Sequence, residues 1–213
     1  MKTLLINSHP LFADGEHFSA KLQQLFLAKF QTAFPDEQVE ILNLYEQDIP
    51  RIEADGLFAV WNKQRSGEAM TAAEAQIAQT SRQLLDTFKA HHRIVLVSPL
   101  HNFNVASRMK DYIDNLMIAR ETFRYVSGGS VGLMTDDYKM LLLFASGSIY
   151  TNNDRYTIMD FAPRYLEGIF KEMMGFDAFY AVRAEGTAVL PAEEVLAKAT
   201  ADLDKAFAAF YAA

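Results

Sequence analysis

Three apolar runs in this chain each lead directly into a cluster of polar, small or turn-forming residues. The runs are Leu4–Ile6, Ile94–Val97 and Leu141–Phe144, and helical patterns separate them along the chain. Short buried strands that alternate with helices predict a parallel sheet covered on both faces. In such a sheet, a ligand binds beyond the carboxyl ends of the strands. We therefore expect the three polar clusters to meet at one edge of the sheet and to surround one ligand.

The remaining periodicity completes a doubly wound α/β fold with helices on both faces of the sheet. The predicted parallel strands cover residues 3–8, 39–44, 93–98, 139–145 and 179–182, and the predicted helices cover about 20–34, 71–90, 106–120, 155–174 and 191–210. Ser19 is the expected N-cap of the first helix, and Thr71 with Glu74 forms a capping box. The two richest clusters follow the first and third strands. The flavodoxin-like order 2-1-3-4-5 is therefore favoured, because it places those two strands side by side.

Two segments interrupt the alternation of strands and helices. Residues 45–70 are predicted as a long, mostly polar connection, and loops of this length are often functional. Residues 123–133 are predicted as a hairpin excursion with its turn at Ser127–Ser130. No internal repeat, low-complexity tract or linker divides the sequence, so we expect one domain over residues 1–213.

Composition narrows the classes of function. The formal net charge of −7 argues against nonspecific nucleic-acid binding, although a local basic patch stays open. The chain has no cysteine, which removes thiol catalysis and iron–sulfur clusters and fits a reducing cytoplasm. No apolar stretch is long enough to span a membrane, and the first residues lack the apolar region of a secretory signal. We expect a cytoplasmic protein.

The first polar cluster lies between a strand and the start of a helix. Free backbone amides and the helix dipole favour a phosphate at such a position. Ser8, His9, His17 and Ser19 add hydroxyls and imidazoles around it. The P-loop pattern and the G-x-G-x-x-G pattern are both absent, which weakens a P-loop or Rossmann dinucleotide site. An ordinary strand–helix loop, with Ser19 only as a cap, is an equally good alternative.

The second cluster, residues 99–103, places an amide side chain beside apolar groups. This combination suits a flat heteroaromatic ligand, with Leu100 and Phe103 on its face and Asn102 at its polar edge. Taken alone, a turn with Phe103 in the core is the commoner explanation. The third cluster, Ser146–Ser148, offers small residues whose backbone can approach a ligand closely, but many strand ends share this composition.

Together these segments resemble the flavodoxin-like FMN-dependent NADH-azoreductases and NAD(P)H:quinone oxidoreductases over essentially the full chain. Pro99-Leu100-His101-Asn102-Phe103 is similar to the family segment P-[ML]-[YWH]-N-F, and Met109–Asp114 is similar to the helix that follows it. The chain departs from the azoreductase pattern at the first loop, where His17-Phe18-Ser19 replaces a serine-rich turn. It departs again at Gly147-Ser148 and Tyr150, where many members have two glycines and a histidine.

The resemblance implies noncovalent FMN, with NADH or NADPH as the electron donor. It implies ping-pong reduction of quinones, azo compounds or related aromatic acceptors by a homodimer, with the chemistry carried by FMN and no metal. The cofactor-binding residues that it implies are Ser8, His9, His17, Phe18, Ser19, Pro99, Leu100, His101, Asn102, Phe103, Ser146, Gly147, Ser148 and Tyr150. Two alternatives stay open, namely a flavodoxin-like electron carrier and a flavin-binding regulatory subunit of a partner protein.

Overall fold

A computed structural model describes residues 2–212 and confirms the predicted doubly wound sheet. The strands are β1 Thr3–Asn7, β2 Val39–Asn43, β3 Arg93–Pro99, β4 Phe123–Val126, β5 Gly129–Gly132, β6 Lys139–Ser146 and β7 Ala178–Glu185. The five parallel strands lie in the order β2-β1-β3-β6-β7. Because β6 and β7 are the fourth and fifth strands of this sheet, the order is the predicted 2-1-3-4-5.

The helices occupy both faces of the sheet. They are α1 Phe18–Ala33, α2 Leu57–Ser66, α3 Ala72–Lys89, α4 Ser107–Leu116, α5 Phe161–Glu167 and α6 Ala192–Tyr211. The prediction of 45–70 as an irregular connection is wrong in part, because α2 forms within it by burying Leu57 and Val60. The predicted helix at 155–174 is divided into a 3₁₀ turn at Thr157–Met159, α5, and a π-helical segment at Gly168–Met173.

The start of α1 differs from the prediction in a way that affects the first loop. His17, not Ser19, is the N-cap residue, and its side chain makes no capping hydrogen bond within residues 2–212. The helix begins at Phe18 because that side chain packs against the core, which places Ser19 inside the first turn with 1% of its surface exposed. The early amides of α1 therefore have no intrahelical partner. The Thr71–Glu74 capping box at α3 is confirmed.

Two hydrophobic clusters lie on opposite faces of the sheet and fix its position. On one face, α1 and α6 pack against the strands through side chains that include Phe26 and Phe207, whose ring centroids are 5.9 Å apart. On the other face, α3 and the π-helical segment meet through Phe88 and Phe170, also 5.9 Å apart. Burial of each such ring stabilises the folded state by roughly 1.5–3 kcal/mol. The sheet edge that carries the polar loops is therefore held by a well-packed core.

The β4–β5 hairpin is present as predicted and is fastened to the end of the π-helical segment. The amide of Met134 donates to the Met174 carbonyl at 2.8 Å. A Cβ atom on Gly132 would lie only 2.3 Å from that same carbonyl, so only glycine permits this approach. Gly175, with φ of +88°, ends the helical segment as predicted.

Candidate functional site

The strand register brings the three polar clusters to one edge of the sheet. Asn7 at the end of β1 pairs with Val97, and Pro99 at the end of β3 pairs with Ala145. The loops that leave β1, β3 and β6 therefore start side by side. Two ring contacts join them across the edge.

The first of these contacts links the β1 and β3 loops, because the rings of His9 and His101 meet edge-on at 6.4 Å. The second links the β3 and β6 loops, because the rings of Phe103 and Tyr150 also meet edge-on at 6.4 Å. The predicted meeting of the three clusters is thus present in the structure.

Two stacked imidazoles dominate the β1 loop. The rings of His9 and His17 are stacked with centroids 4.4 Å apart. Nδ1 of His9 accepts a hydrogen bond from the amide of Leu11 at 3.0 Å, which leaves Nε2 to carry the proton of the neutral ring. Burial lowers the pKa of His9 below its usual 6.5, and the neighbouring His17 and His101 lower it further. At neutral pH, His9 is therefore a neutral donor.

The β1 loop also contains a buried polar atom that has no hydrogen-bond partner in the described part of the chain. Nε2 of His17 is buried and lies 3.2 Å from a carboxylate oxygen of Asp14. The two groups are not aligned for hydrogen bonding, and this nitrogen has no hydrogen-bond partner in the described part of the chain. This nitrogen lacks a hydrogen bond within residues 2–212 and lies beside the open amides of α1, so both can donate to an anion.

The two serines of this loop differ from each other in what they offer. Ser8 is fully buried, and its hydroxyl donates to the carbonyl of Val97 at 3.0 Å. That hydroxyl joins β1 to β3 and is not open to a ligand as a donor. Ser19 makes no side-chain hydrogen bond elsewhere in residues 2–212, and its position in the first turn of α1 places it beside the open amides.

The β3 loop contains a strained turn. Asn102 and Phe103 both have positive φ, at 47° and 67°. The turn is closed by paired hydrogen bonds between the backbones of His101 and Asn104, at 3.0 and 2.9 Å. Asparagine tolerates this conformation, but a phenylalanine there is held at an energetic cost. The cost is consistent with a functional site, since the turn presents the Asn102 side chain to solvent and half-buries Phe103.

The β6 loop presents backbone amides. The Ser146 hydroxyl donates to the Ser148 carbonyl at 2.9 Å. The amides of Gly147 and Ser148 donate to no partner among residues 2–212, and Gly147 is exposed. Tyr150 is buried beside Phe103, and burial raises the pKa of its hydroxyl. The loop can thus supply amide donors to a ligand whose ring lies near Phe103 and Tyr150.

Sequence reasoning missed two polar residues that order this edge. The Asn7 side chain accepts from the His9 amide at 2.8 Å and donates to Gln23 at 2.7 Å, so it fixes the start of the β1 loop. An asparagine directly after an apolar strand was the only signal for it. Glu185, at the end of β7, accepts hydrogen bonds from the β6 loop, 35 residues earlier in the chain. No local pattern announces a contact over that separation.

Further grooves and cavities lie away from the three loops. A groove of about 570 Å³ is lined by side chains that include Trp61, Arg65, Arg120 and Tyr125. Within residues 2–212, no group of three or more histidine and acidic side chains is arranged to hold a metal ion. None of the helices in that range is both long and apolar enough to cross a bilayer.

Comparisons with known proteins agree with this architecture. A protein-family model described as flavodoxin-like fold matches residues 1–207. The FMN-dependent NADH:quinone oxidoreductase 1 of Lactiplantibacillus plantarum is 51% identical over 212 residues, which is 99% of each chain. The FMN-dependent NADH:quinone oxidoreductase of Streptococcus agalactiae is 50% identical over 211 residues, again 99% of each.

A solved structure gives the same result in three dimensions. The FMN-dependent NADH-azoreductase of Bacillus anthracis, in complex with FMN, superposes with a TM-score of 0.94 at 40% identity and 99% coverage of both chains. The strand order, the three loops at one sheet edge and the match over nearly the whole sequence all point to the same group of proteins. This chain belongs to the flavodoxin-like fold family, in the branch that contains the FMN-dependent NADH:quinone oxidoreductases and NADH-azoreductases.

Proposed function

We propose that this chain is an FMN-dependent oxidoreductase that passes two electrons from NADH to quinones, azo compounds or related aromatic acceptors. The observation that carries the proposal is the meeting of three loops at one sheet edge, two of them joined by the contact between Phe103 and Tyr150. The names of two relatives at 51% and 50% identity describe FMN, NADH and quinone chemistry. Family and site thus support the same reaction.

The β1 loop is the proposed phosphate end of the FMN site. His9 and His17 offer imidazole nitrogens, and Phe18 and Ser19 offer the open amides at the start of α1. Nε2 of His17 supports this assignment, because it has no hydrogen-bond partner within residues 2–212 and a phosphate oxygen would give that buried nitrogen one. Ser8 supports the loop through its bond to β3.

The β3 and β6 loops are the proposed ring end of the site. Pro99, Leu100 and Phe103 supply apolar contact to the flavin, and Asn102 supplies an amide to its polar edge, next to His101. The small residues Ser146–Ser148 bring backbone amides to the ring, and Tyr150 supports Phe103 from behind.

Bound FMN supplies reversible two-electron chemistry, so the protein needs to bind, orient and stabilise rather than to provide a nucleophile. The free amides of Gly147 and Ser148 are suited to stabilising negative charge at the ring. We propose that NADH and the acceptor use the same open surface in turn. Ping-pong kinetics follow from that shared surface.

Exposed aromatic side chains and the amino-acid composition bear on assembly and location. Phe58, Tyr125 and Phe161 are 53%, 75% and 45% exposed, so each has aromatic surface available for a partner. We propose that these surfaces meet in a homodimer, burying more than about 1,000 Å² in total as stable interfaces do. We also propose a single FMN-binding domain over 1–213 and a cytoplasmic location, the latter supported by the absence of cysteine.

The electron-carrier alternative is less well supported. A carrier of single electrons needs an exposed flavin edge and no substrate cavity. Here α2 and the β4–β5 hairpin carry Trp61 and Tyr125, which line one groove outside the central sheet, and a carrier has no need of such a groove. A regulatory subunit would keep FMN but show no turnover with small acceptors.

Absorbance spectroscopy and steady-state kinetics test the proposal. The purified protein should be yellow, bleach anaerobically with NADH and recover its colour on addition of benzoquinone. Denaturation should release FMN, identified by chromatography. Initial rates at several quinone concentrations should give parallel double-reciprocal lines. A flavin that NADH does not reduce, or a reduced flavin that no quinone or azo compound reoxidises, would contradict the oxidoreductase.

A further inference from the structure

The β6 loop, residues 147–151, is bound on one side by the segment that follows β7. The amides of Gly186, Thr187 and Ala188 donate to the carbonyls of Ser148, Ser146 and Gly147, at 3.1, 3.2 and 3.0 Å respectively. The carbonyls at the start of the loop are therefore turned away from the cofactor edge. The amides of Gly147 and Ser148 are correspondingly left free on the other side.

Glu185 completes this arrangement at the far end of the loop. Its carboxylate accepts a hydrogen bond from the amide of Tyr150 at 3.0 Å and from the hydroxyl of Thr151 at 2.6 Å. The residue is only 7% exposed, so both bonds form away from bulk water. Buried hydrogen bonds to a charged group are stronger than neutral ones. The carboxylate thus fixes the loop at the point where Tyr150 enters the core.

We propose that Glu185 is a positioning residue for the flavin site, acting through the β6 loop without touching the cofactor itself. By fixing Tyr150 and Thr151, it holds the free amides of Gly147 and Ser148 toward the ring of FMN. This inference rests on the proposed function for the identity of the ligand. The contacts between Glu185 and the loop belong to the protein alone and are testable without FMN.

Two substitutions separate the positioning role from the charge. Glu185→Gln removes the charge but keeps the geometry, because its amide oxygen can accept from the Tyr150 amide while its nitrogen donates to the Thr151 hydroxyl. Glu185→Ala removes both contacts. In the apoprotein, we expect faster hydrogen exchange at the Tyr150 amide and at the amides of residues 186–188 in the alanine variant, and near wild-type exchange in the glutamine variant.

The same pair is then compared by FMN titration, with quenching of FMN fluorescence as the signal. Loss of a hydrogen bond to a charged group corresponds to roughly a tenfold effect or more, so Glu185→Ala should weaken FMN binding by about that factor. Glu185→Gln should stay within about threefold of the wild type. If the alanine variant does not fold, Thr151→Val carries the test, because it removes one of the two donors and should give an intermediate loss.

The midpoint potential of bound FMN gives a readout that loss of stability alone does not move. Both variants lack the charge, but only the alanine variant loses the contacts at Tyr150 and Thr151 that help to fix the amides facing the ring. We expect the midpoint potential of FMN bound to Glu185→Ala to lie at least about 30 mV below that of FMN bound to Glu185→Gln. This difference is equivalent to a tenfold loss of preference for reduced flavin.

The outcomes separate the two proposals. A wild-type protein that does not bind FMN refutes the proposed function, while the exchange data still report on Glu185. A wild type that binds and turns over, with both variants equal to it in loop exchange, affinity and potential, overturns the positioning role and leaves the function standing. Equal defects in the alanine and glutamine variants also overturn it, because the effect would then follow the charge.

Discussion

The strained turn at Asn102 and Phe103 permits a direct test. Replacing Phe103 by glycine should destabilise the protein less than replacing it by alanine. Phe103 has φ of 67°, a conformation that costs a residue with a Cβ atom roughly 1–2 kcal/mol and glycine almost nothing. Phe103→Ala and Phe103→Gly both remove the ring and its contact with Tyr150. Only the glycine variant also relieves the backbone strain.

The expected difference follows from two opposing effects. Relief of strain favours the glycine variant by roughly 1–2 kcal/mol. The greater freedom of glycine in the unfolded chain opposes it by about 0.4–1 kcal/mol. Phe103→Gly should therefore unfold with a free energy about 1 kcal/mol higher than that of Phe103→Ala.

Urea unfolding of the apoprotein, followed by circular dichroism at one fixed protein concentration, measures this difference through the midpoint at constant slope. The control is Lys205, an exposed position within α6. There the usual order should hold, with the alanine variant about 1 kcal/mol more stable than the glycine variant. An alanine variant at 103 that is as stable as the glycine variant, or more stable, would refute the strain argument.

FMN affinity gives an independent check on the same variants. Because both lack the ring, both should bind FMN more weakly by a similar factor of about 2 to 10, the range expected for one aromatic contact. A loss confined to one variant would show that the backbone of the turn, and not the ring, governs binding.

Other predictions concern protonation and buried charge. Because the pKa of His9 is lowered in the free protein, the unfolded chain binds this proton more tightly, and apoprotein stability should fall as the pH drops below 6.5. A phosphate bound beside His9, as in the proposed site, would raise that pKa. Calorimetry in buffers of different ionisation enthalpy should then show greater proton uptake on FMN binding by the wild type than by His9→Gln, and equal uptake would contradict contact between His9 and the phosphate. Asp160 holds Arg183 by two hydrogen bonds of 3.0 and 2.7 Å, so Asp160→Ala should lower the free energy of unfolding by about 2–3 kcal/mol, with much of the loss recovered by Arg183→Met in the same chain. Hydrogen bonds from Lys63 and Thr71 lower the pKa of Glu74 to about 2, so the stability advantage of the wild type over Glu74→Gln should be constant above pH 4.5 and shrink between pH 4.5 and 2, as measured by urea unfolding.

The sheet and its functional edge could be predicted from the sequence, because buried parallel strands have short, continuous apolar sequences. Ile94–Val97 and Leu141–Phe144 are each fully buried, and the polar residues after them had to lie at the carboxyl edge. The cofactor could be predicted as FMN only with the help of the family resemblance, because the residues of the turn at Asn102 suit more than one kind of ligand.

The features that sequence reasoning missed depend on tertiary contacts. Ser19 has the chemistry of an N-cap, but packing of Phe18 moves the start of α1 and makes His17 the cap. The apolar residues of α2 are confined to its first half, Leu57–Trp61, and the polar residues that follow them show no helical period. Glu185 bonds to a loop 35 residues away, a contact that only the pairing of β6 with β7 creates.

The attachment of the β4–β5 hairpin bears on the proposed homodimer. An isolated two-stranded ribbon is marginally stable and fluctuates, and it must be ordered before it can bind. Here the close approach of Gly132 to Met174 and the bond from Met134 fix the ribbon in advance. Tyr125 is therefore displayed on a preorganised support, and in the proposed homodimer a second copy packing on it would lose little conformational entropy. If the proposed homodimer forms through this surface, Gly132→Ala should weaken it through the entropy of the free subunit, without altering any side chain at the interface.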